Sequence, residues 1–393
     1  MNHSLIRLGV KQLFILAATV LCSCESAPTT LPKTTMSTPS VRPELPPFPT
    51  VPPYAKADIP KLFGSLDYEQ DPDSALHFRI LMPLQWGQVP GTRHLVTPSH
   101  PFELRGHVKT MTGPEAEIKV YIAYVTQELA PRDWLAMYLQ TQGERVLHER
   151  YFAQEGGEIP DVLTVGGKKG VERISRWTVL KDWAKTGGAH HFMVQASTPV
   201  PNYSPEMANV FLMAIGNFGL LHPTKWHYAE QLRTLVRAVP AKISTVFPLS
   251  WQQQENPLSD EHFYQVKLTK DLNGHRIGLI NLMLTANQTE TDLRRLEEES
   301  RTAYQTEQLE FAPAVFKAEP AFGAFQQVLA ARTPQTNAAG DMLAQERVVV
   351  LARAGTMWVY LENVRYSQKA APLEWAISKR AFEIVQEHLV VKP

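Results

Sequence analysis

Two histidine pairs are the residues of this chain best suited by type and spacing to chemistry. His190 and His191 are adjacent, and His222 and His227 follow further along. Convergence of such pairs would build a zinc site, because neutral imidazole is a common zinc ligand. Adjacent residues of a strand point to opposite faces, so only one of His190 and His191 can join a given site, and no metal is expected. Asp67, Asp71 and Asp73 resemble a fragment of a calcium loop, but the glycine and the terminal bidentate acid are missing. They read as a solvated acidic lead-in. The glycine-rich run Val165-Gly166-Gly167-Lys168-Lys169-Gly170 suggests a phosphate loop, yet it lies between two strand-like runs with no helix after it, and reads as a hairpin turn. No nucleophile elbow, Walker loop, dinucleotide fingerprint or metalloprotease helix occurs. The expectation is therefore no catalytic residue and no cofactor.

Composition narrows the field further. Lys plus Arg and Asp plus Glu both number 39, so no global field favours nucleic acid. At 393 residues with 44% hydrophobic content, the chain has room for about two globular domains after a leader and a tether. The two cysteines are Cys22 and Cys24, which leaves the body without a thiol for a disulfide, a nucleophile or a thiolate metal site.

Residues 1–23 have the form of a signal peptide: Arg7 and Lys11, then the apolar run Leu13 to Leu21, then the small Ser23. The run is shorter than the roughly 20 residues a membrane-spanning helix requires. Leu21-Cys22-Ser23-Cys24 resembles the bacterial lipobox, which implies acylation of Cys24, with palmitate-type chains forming the membrane anchor. Glu25 in place of Asp favours sorting to the outer membrane, with the body in the periplasm or at the cell surface. Residues 24–60 are rich in Pro, Thr and Ser and read as an extended tether. At about 3.1 Å per residue it would hold the body up to about 100 Å from the bilayer.

The body reads as a diverged repeat. Residues 76–86, LHFRILMPLQW, and residues 242–251, KISTVFPLSW, each carry a strand into a proline corner with a Trp three residues on. After each corner come two strands (Phe102 to Lys109 and Ile118 to Val125; His262 to Thr269 and His275 to Thr285) and then a helix. Pro131 opens the first helix and Gly143 stops it. Thr289 and Asp292 have capping-box spacing before the second. Three further strands follow in each copy: Val162 to Val165, Val171 to Leu180 and His190 to Ala196, then Phe325 to Ala331, Glu346 to Ala352 and Met357 to Val364. A closing helix ends each copy, entered at Ser204-Pro205 and at Pro372. This order predicts an α+β fold: two tandem α-β-α sandwich-like domains, each a mainly antiparallel sheet with helices packed on it. The domains would cover 61–222 and 241–393, each around its own core, joined by a helical connector at 223–240.

The run from Phe192 to Leu221, FMVQASTPVPNYSPEMANVFLMAIGNFGLL, and the PLQW and PLSW corners resemble the ending and start of the Mog1/PsbP/DcrB-like superfamily. The resemblance implies tandem domains of that fold and, since its members mostly act as binding or assembly factors, a non-catalytic role. The best candidate for a binding surface is Trp226, His227 and Tyr228, whose aromatics either fasten the two domains together or meet another protein; docking of the domains is the favoured reading. The expected function is a non-catalytic envelope lipoprotein that binds or scaffolds a periplasmic or outer-membrane protein assembly. The alternative is an envelope hydrolase whose site is assembled from residues distant in sequence. A third reading, a small-molecule carrier, requires a large apolar cavity.

Overall fold

The computed structural model describes residues 45–392 apart from 97–103, 114, 169, 186, 287, 307–309 and 337–341. The leader, Cys24 and the tether up to residue 44 lie outside these residues. Everything from Leu45 onward belongs to one contact-dense body.

Within that body the same topology occurs twice. The first copy opens with a short helix, α1 (Ile59–Leu62), and a small sheet in which β2 (Phe78–Pro83) lies between β1 (Phe63–Tyr68) and β10 (Gly219–Leu220). Its main sheet has the order β3 (Gly87–Val96), β4 (Leu104–Gly113), β5 (Ala116–Val125), β9 (Ala189–Pro199), β8 (Arg173–Trp183), β7 (Ile159–Gly166), β6 (Arg145–Phe152). Helix α2 (Pro131–Thr141) connects β5 to β6, and α3 (Pro205–Gly216) follows β9.

In the second copy, β12 (Lys242–Pro248) lies between β11 (Leu232–Arg237) and β20 (Val390–Lys392). The main sheet runs β13 (Gln252–Glu255), β14 (Phe263–Leu272), β15 (His275–Ala286), β19 (Met357–Tyr366), β18 (Met342–Ala354), β17 (Gln327–Thr336), β16 (Lys317–Ala318). Helix α4 (Glu290–Thr306) occupies the place of α2, and α5 (Pro372–Glu387) that of α3. Both strand orders are identical, and every pairing among the described residues is antiparallel. The fold is α+β, as the order of elements predicted.

The proline corners coincide in register. Pro83 ends β2 opposite Phe63, and Pro248 ends β12 opposite Leu232. The Trp86 N–H donates to Pro83 O at 3.1 Å and the Trp251 N–H to Pro248 O at 3.0 Å. The helix starts follow the cap chemistry: the Ser204 hydroxyl accepts from the Met207 N–H at 3.2 Å. At α4 the Thr289 N–H donates to Asp292 at 3.0 Å while the Asp292 N–H donates back to Thr289 at 3.3 Å.

Alternation along the strands separates two faces of each sheet. In the first copy Trp177, Val179 and Met193 pack with Trp134, Leu135 and Tyr138 of α2. Phe192, Val194 and Ala196 pack with Phe211, Ala214 and Ile215 of α3 and with Phe78 and Ile80 of the small sheet. In the second copy Leu293 of α4 packs on Met283, Leu351 and Tyr360, while Phe382 and Val385 of α5 pack on Leu282, Leu284 and Leu361.

Four expectations are corrected. Residues 223–240 form no helix: Leu232, Leu235 and Val236 have helical spacing, but the segment is strand β11, held by β12, with Leu235 buried and Val236 exposed. The copies do not enclose separate cores, since Ile277, Trp375, Ala376 and Ile377 of the second copy share one buried cluster with α2 of the first. The tether is not a free spacer over its whole length, because Pro46 to Thr50 are hydrogen-bonded to the body. The acidic lead-in is solvated at Asp67, which pairs with Arg79 at 2.6 Å, and at Asp73, which caps a single turn at Ser74–Leu76, but not at Asp71, which is buried and accepts from the Asp73 N–H.

Candidate functional site

The residues singled out in the connector lie at the junction of the two copies. Tyr228 is 2% exposed. Its ring lies between two cations, Lys181 of β8 at 6.0 Å and Arg380 of α5 at 5.9 Å. The ring of His388, just past α5, is 6.2 Å away. Burial pushes the Tyr228 hydroxyl up to about 12, so it stays protonated and can donate. Trp226 is half-buried and stacks edgewise on Tyr228 at 5.3 Å. His227 is clamped differently. A methyl group at Gly156 would meet His227 O at 2.2 Å, so the loop before β7 approaches the connector closely enough that only glycine fits there.

The connector is stitched mainly to the first copy. The Thr224 N–H and hydroxyl both donate to Asp182 Oδ1, at 2.9 and 2.7 Å, and the Ala229 N–H donates to Glu128 Oε2 at 2.5 Å. Glu128 is the hub of the junction. It is 1% exposed, accepts from Lys181 Nζ at 2.8 Å and lies 3.5 Å from Arg380 Nε. Burial drives the Lys181 ammonium below its ordinary range, and Glu128 opposes that shift. Burial also works against the Arg380 guanidinium, but Glu128, Glu387 and Glu383 outweigh it and hold the group above its ordinary value. Beside this hub, Lys379 of α5 reaches Asp133 of α2.

Two clefts open along the junction. One, of about 830 Å³, is lined by charged groups of both copies, among them Arg132, Asp133, Lys379 and Glu383. The other, of about 810 Å³, lies between Met137 and Gln140 of α2, Leu272 and Asn273 of the β14–β15 turn, and Leu373 at the start of α5. Neither is a closed apolar cavity.

The histidines are not brought together as a metal centre. His191 is wholly buried against Trp134, ring centroids 5.1 Å apart, and burial holds it well below its ordinary value, so it is a neutral core residue. His190 points to the other face, beside Tyr124 and Phe192. His222 sits 5.6 Å from His77. Among the described residues no group of three or more potential ligands could hold a metal ion. The glycine-rich run is the β7–β8 turn, with Gly167 and Gly170 at positive φ.

A second polar network, one that no motif announced, lies beneath α4. Arg347 and Glu362 are fully buried and paired with each other. Glu297 of α4 also pairs with Arg347, and the Tyr304 hydroxyl reaches Glu362 at 3.1 Å. Two carboxylates share the one guanidinium, with Tyr304 and Tyr360 hydroxyls donating to Glu362, the arrangement of a structural ion cluster.

No family model matches this chain, and no curated protein matches it. Among solved structures it is similar to the cyanobacterial PsbP (CyanoP) of Synechocystis sp. PCC 6803, at 13% identity and a TM-score of 0.30, over 44% of this chain and 100% of that one. It is also similar to the T6SS immunity protein TplEi of Pseudomonas aeruginosa, at 11% identity and a TM-score of 0.21, over 76% of this chain and 99% of that one. A third similarity is to a chain of the Tle4–Tli4 complex, at 11% identity and a TM-score of 0.22, covering 74% of this chain and 97% of that one.

Proposed function

We propose that this protein is a non-catalytic lipoprotein of the bacterial cell envelope, anchored through Cys24, whose fused pair of α+β domains binds or scaffolds a protein partner at the outer membrane. The observation that carries the binding part is the junction. Its buried titratable groups are engaged with one another: Glu128 pairs with Lys181 of the first copy and lies 3.5 Å from Arg380 of the second, beside a buried apolar cluster that both copies share. A catalytic centre needs a group poised to exchange protons or attack, with space for a substrate against it. Here the charges are spent on joining two halves, which suits a surface of fixed shape. The half-buried Trp226 beside Tyr228 is the aromatic edge of that surface.

The anchor rests on the leader and on Ser23-Cys24, and the multiple acyl chains of such a lipid make a stable attachment. Mass spectrometry of the mature N-terminus tests it: the expected species starts at Cys24 and carries acyl chains. Cys24→Ala should move the body from the membrane fraction to the soluble one. An unmodified N-terminus, or membrane retention of the Ala variant, would overturn the anchor. For partner binding, crosslinking from position 226 in intact envelopes should trap a discrete protein, and the product should disappear when the probe is moved to the buried position 134.

A further inference from the structure

The proline-rich segment ahead of the first strand is seated in a built site. It runs Pro46-Pro47-Phe48-Pro49-Thr50, and four of its five carbonyls accept hydrogen bonds from side chains of the first copy. His148 Nε2 lies 3.1 Å from Pro46 O, and the Tyr203 hydroxyl donates to Pro47 O at 2.8 Å. Arg176 Nη2 donates to Pro49 O at 3.0 Å and Arg150 Nη1 to Thr50 O at 3.3 Å. Proline lacks an N–H, so such a segment offers acceptors and almost no donors, and an extended polyproline backbone makes no internal hydrogen bonds. The site answers with donors only.

The aromatic residue between the prolines is held as well. Phe48 stacks on His148 with centroids 5.3 Å apart and planes within 3°, and the Arg176 guanidinium lies 4.4 Å from its ring centre. The two guanidiniums are fixed from behind. Asp161 accepts from Arg176 at 2.8 and 2.7 Å and from Arg150 at 2.7 Å. Arg176 is 0% exposed and Asp161 3%. The Asp161-held guanidiniums, with a ring contact for Phe48 and donors for the carbonyls on both sides of it, supply what recognition of a proline-flanked aromatic in an extended segment needs.

We infer that His148, Arg150, Arg176 and Tyr203 form a binding site for proline-rich peptides with a Pro-Phe-Pro core, and that Pro46–Thr50 is its resident intramolecular ligand. An external segment of the same chemistry competes with the tether for the groove. Because the tether is covalently linked, its effective concentration at the site is on the order of millimolar. The site is therefore masked in the resting chain and opens to a partner's proline-rich segment only when the tether leaves. The binding groove lies wholly within the body and does not depend on lipidation.

The test is fluorescence anisotropy with a labelled peptide spanning Leu45 to Tyr54, added to the full-length chain and to its Phe48→Ala variant. The variant, with its own ligand weakened, should bind the peptide at least tenfold more tightly than the unaltered chain. A peptide with alanine at the position of Phe48 should bind neither. Adding Tyr203→Phe to the Phe48→Ala chain, which deletes one hydroxyl donor, should weaken the peptide several-fold. Equal binding by both chains, or no binding by the folded variant, would overturn the inference. Should the Phe48→Ala chain fail to fold, Tyr203→Phe alone decides: cleavage at Pro49–Thr50 by a proline-specific endopeptidase should accelerate several-fold, and an unchanged rate would refute the docking.

Discussion

Lys379 Nζ, on the closing helix of the second copy, lies 2.7 Å from Asp133 Oδ2, on α2 of the first copy. The pair spans the junction, and its pH behaviour has a definite sign. Burial raises the Asp133 carboxyl above its ordinary value of 3.8, and Lys379 offsets only part of that. The folded chain therefore holds this proton more tightly than the unfolded chain. Below pH 3.8 the effect favours folding in full, and it is lost as pH rises through the raised value. Asp133→Asn keeps the shape and removes the cost. Its melting temperature should equal or exceed that of the unaltered chain at pH 7, and the difference should shrink on acidification toward pH 3.8. A large drop at pH 7 would mean that the pair is net stabilising.

Glu128 should behave in the opposite way. Its removal leaves buried Lys181 with only the Leu129 carbonyl, takes from buried Arg380 one of its three acids, and frees the Ala229 N–H. Breaking one member of such a buried cluster costs about 3–5 kcal/mol. Glu128→Ala is thus expected to lower the urea midpoint sharply. Glu128→Gln, which keeps an acceptor, should recover only part of the loss.

Gly156→Ala tests how tightly the connector is clamped. The new methyl would collide with a backbone carbonyl, and φ at Gly156 is +88°, so strain and overlap act together. Overpacking of this kind costs about 1–3 kcal/mol. Thermal unfolding should show a loss in that range, and quenching of Trp226 by acrylamide should rise as the connector lifts.

The two corner tryptophans should not be equivalent. Trp251 is 2% exposed and lies within the second core, so Trp251→Ala should cost about 3–5 kcal/mol. Trp86 is only partly buried at the edge of its cluster, and Trp86→Ala should cost less. Both variants should unfold in one transition, because the copies share buried side chains. Two resolved calorimetric transitions would show that the halves unfold separately.

Elements with strong local signals were legible in the sequence. The central strands β9 and β19 are buried on both faces and rich in apolar residues, and α2, α3 and α5 start at Pro131, Pro205 and Pro372. What escaped was held by partners rather than by pattern. β6 reads RVLHERYF and β13 reads QQQE, edge strands with little to bury, while β10 has two residues and exists only beside β2. The same cause hid Glu128, an acid in a loop whose partners lie far off in sequence, at Lys181, Ala229 and Arg380. Phe48 was hidden too, because composition marks a proline tract but not the groove that receives it.

The contact between α2 of one copy and α5 of the next joins unlike surfaces, since α5 is the counterpart of α3. Such a head-to-tail joint does not close on itself after two members. Repeated among separate single copies it would generate a ring or an open fibre. In the second copy the helix that stands in the place of α2 is α4, whose Arg294, Arg295, Glu298 and Glu299 are exposed. Exposed charges along α4 disfavour a further apolar contact there, as a polar outer face does at the end of a stacked array.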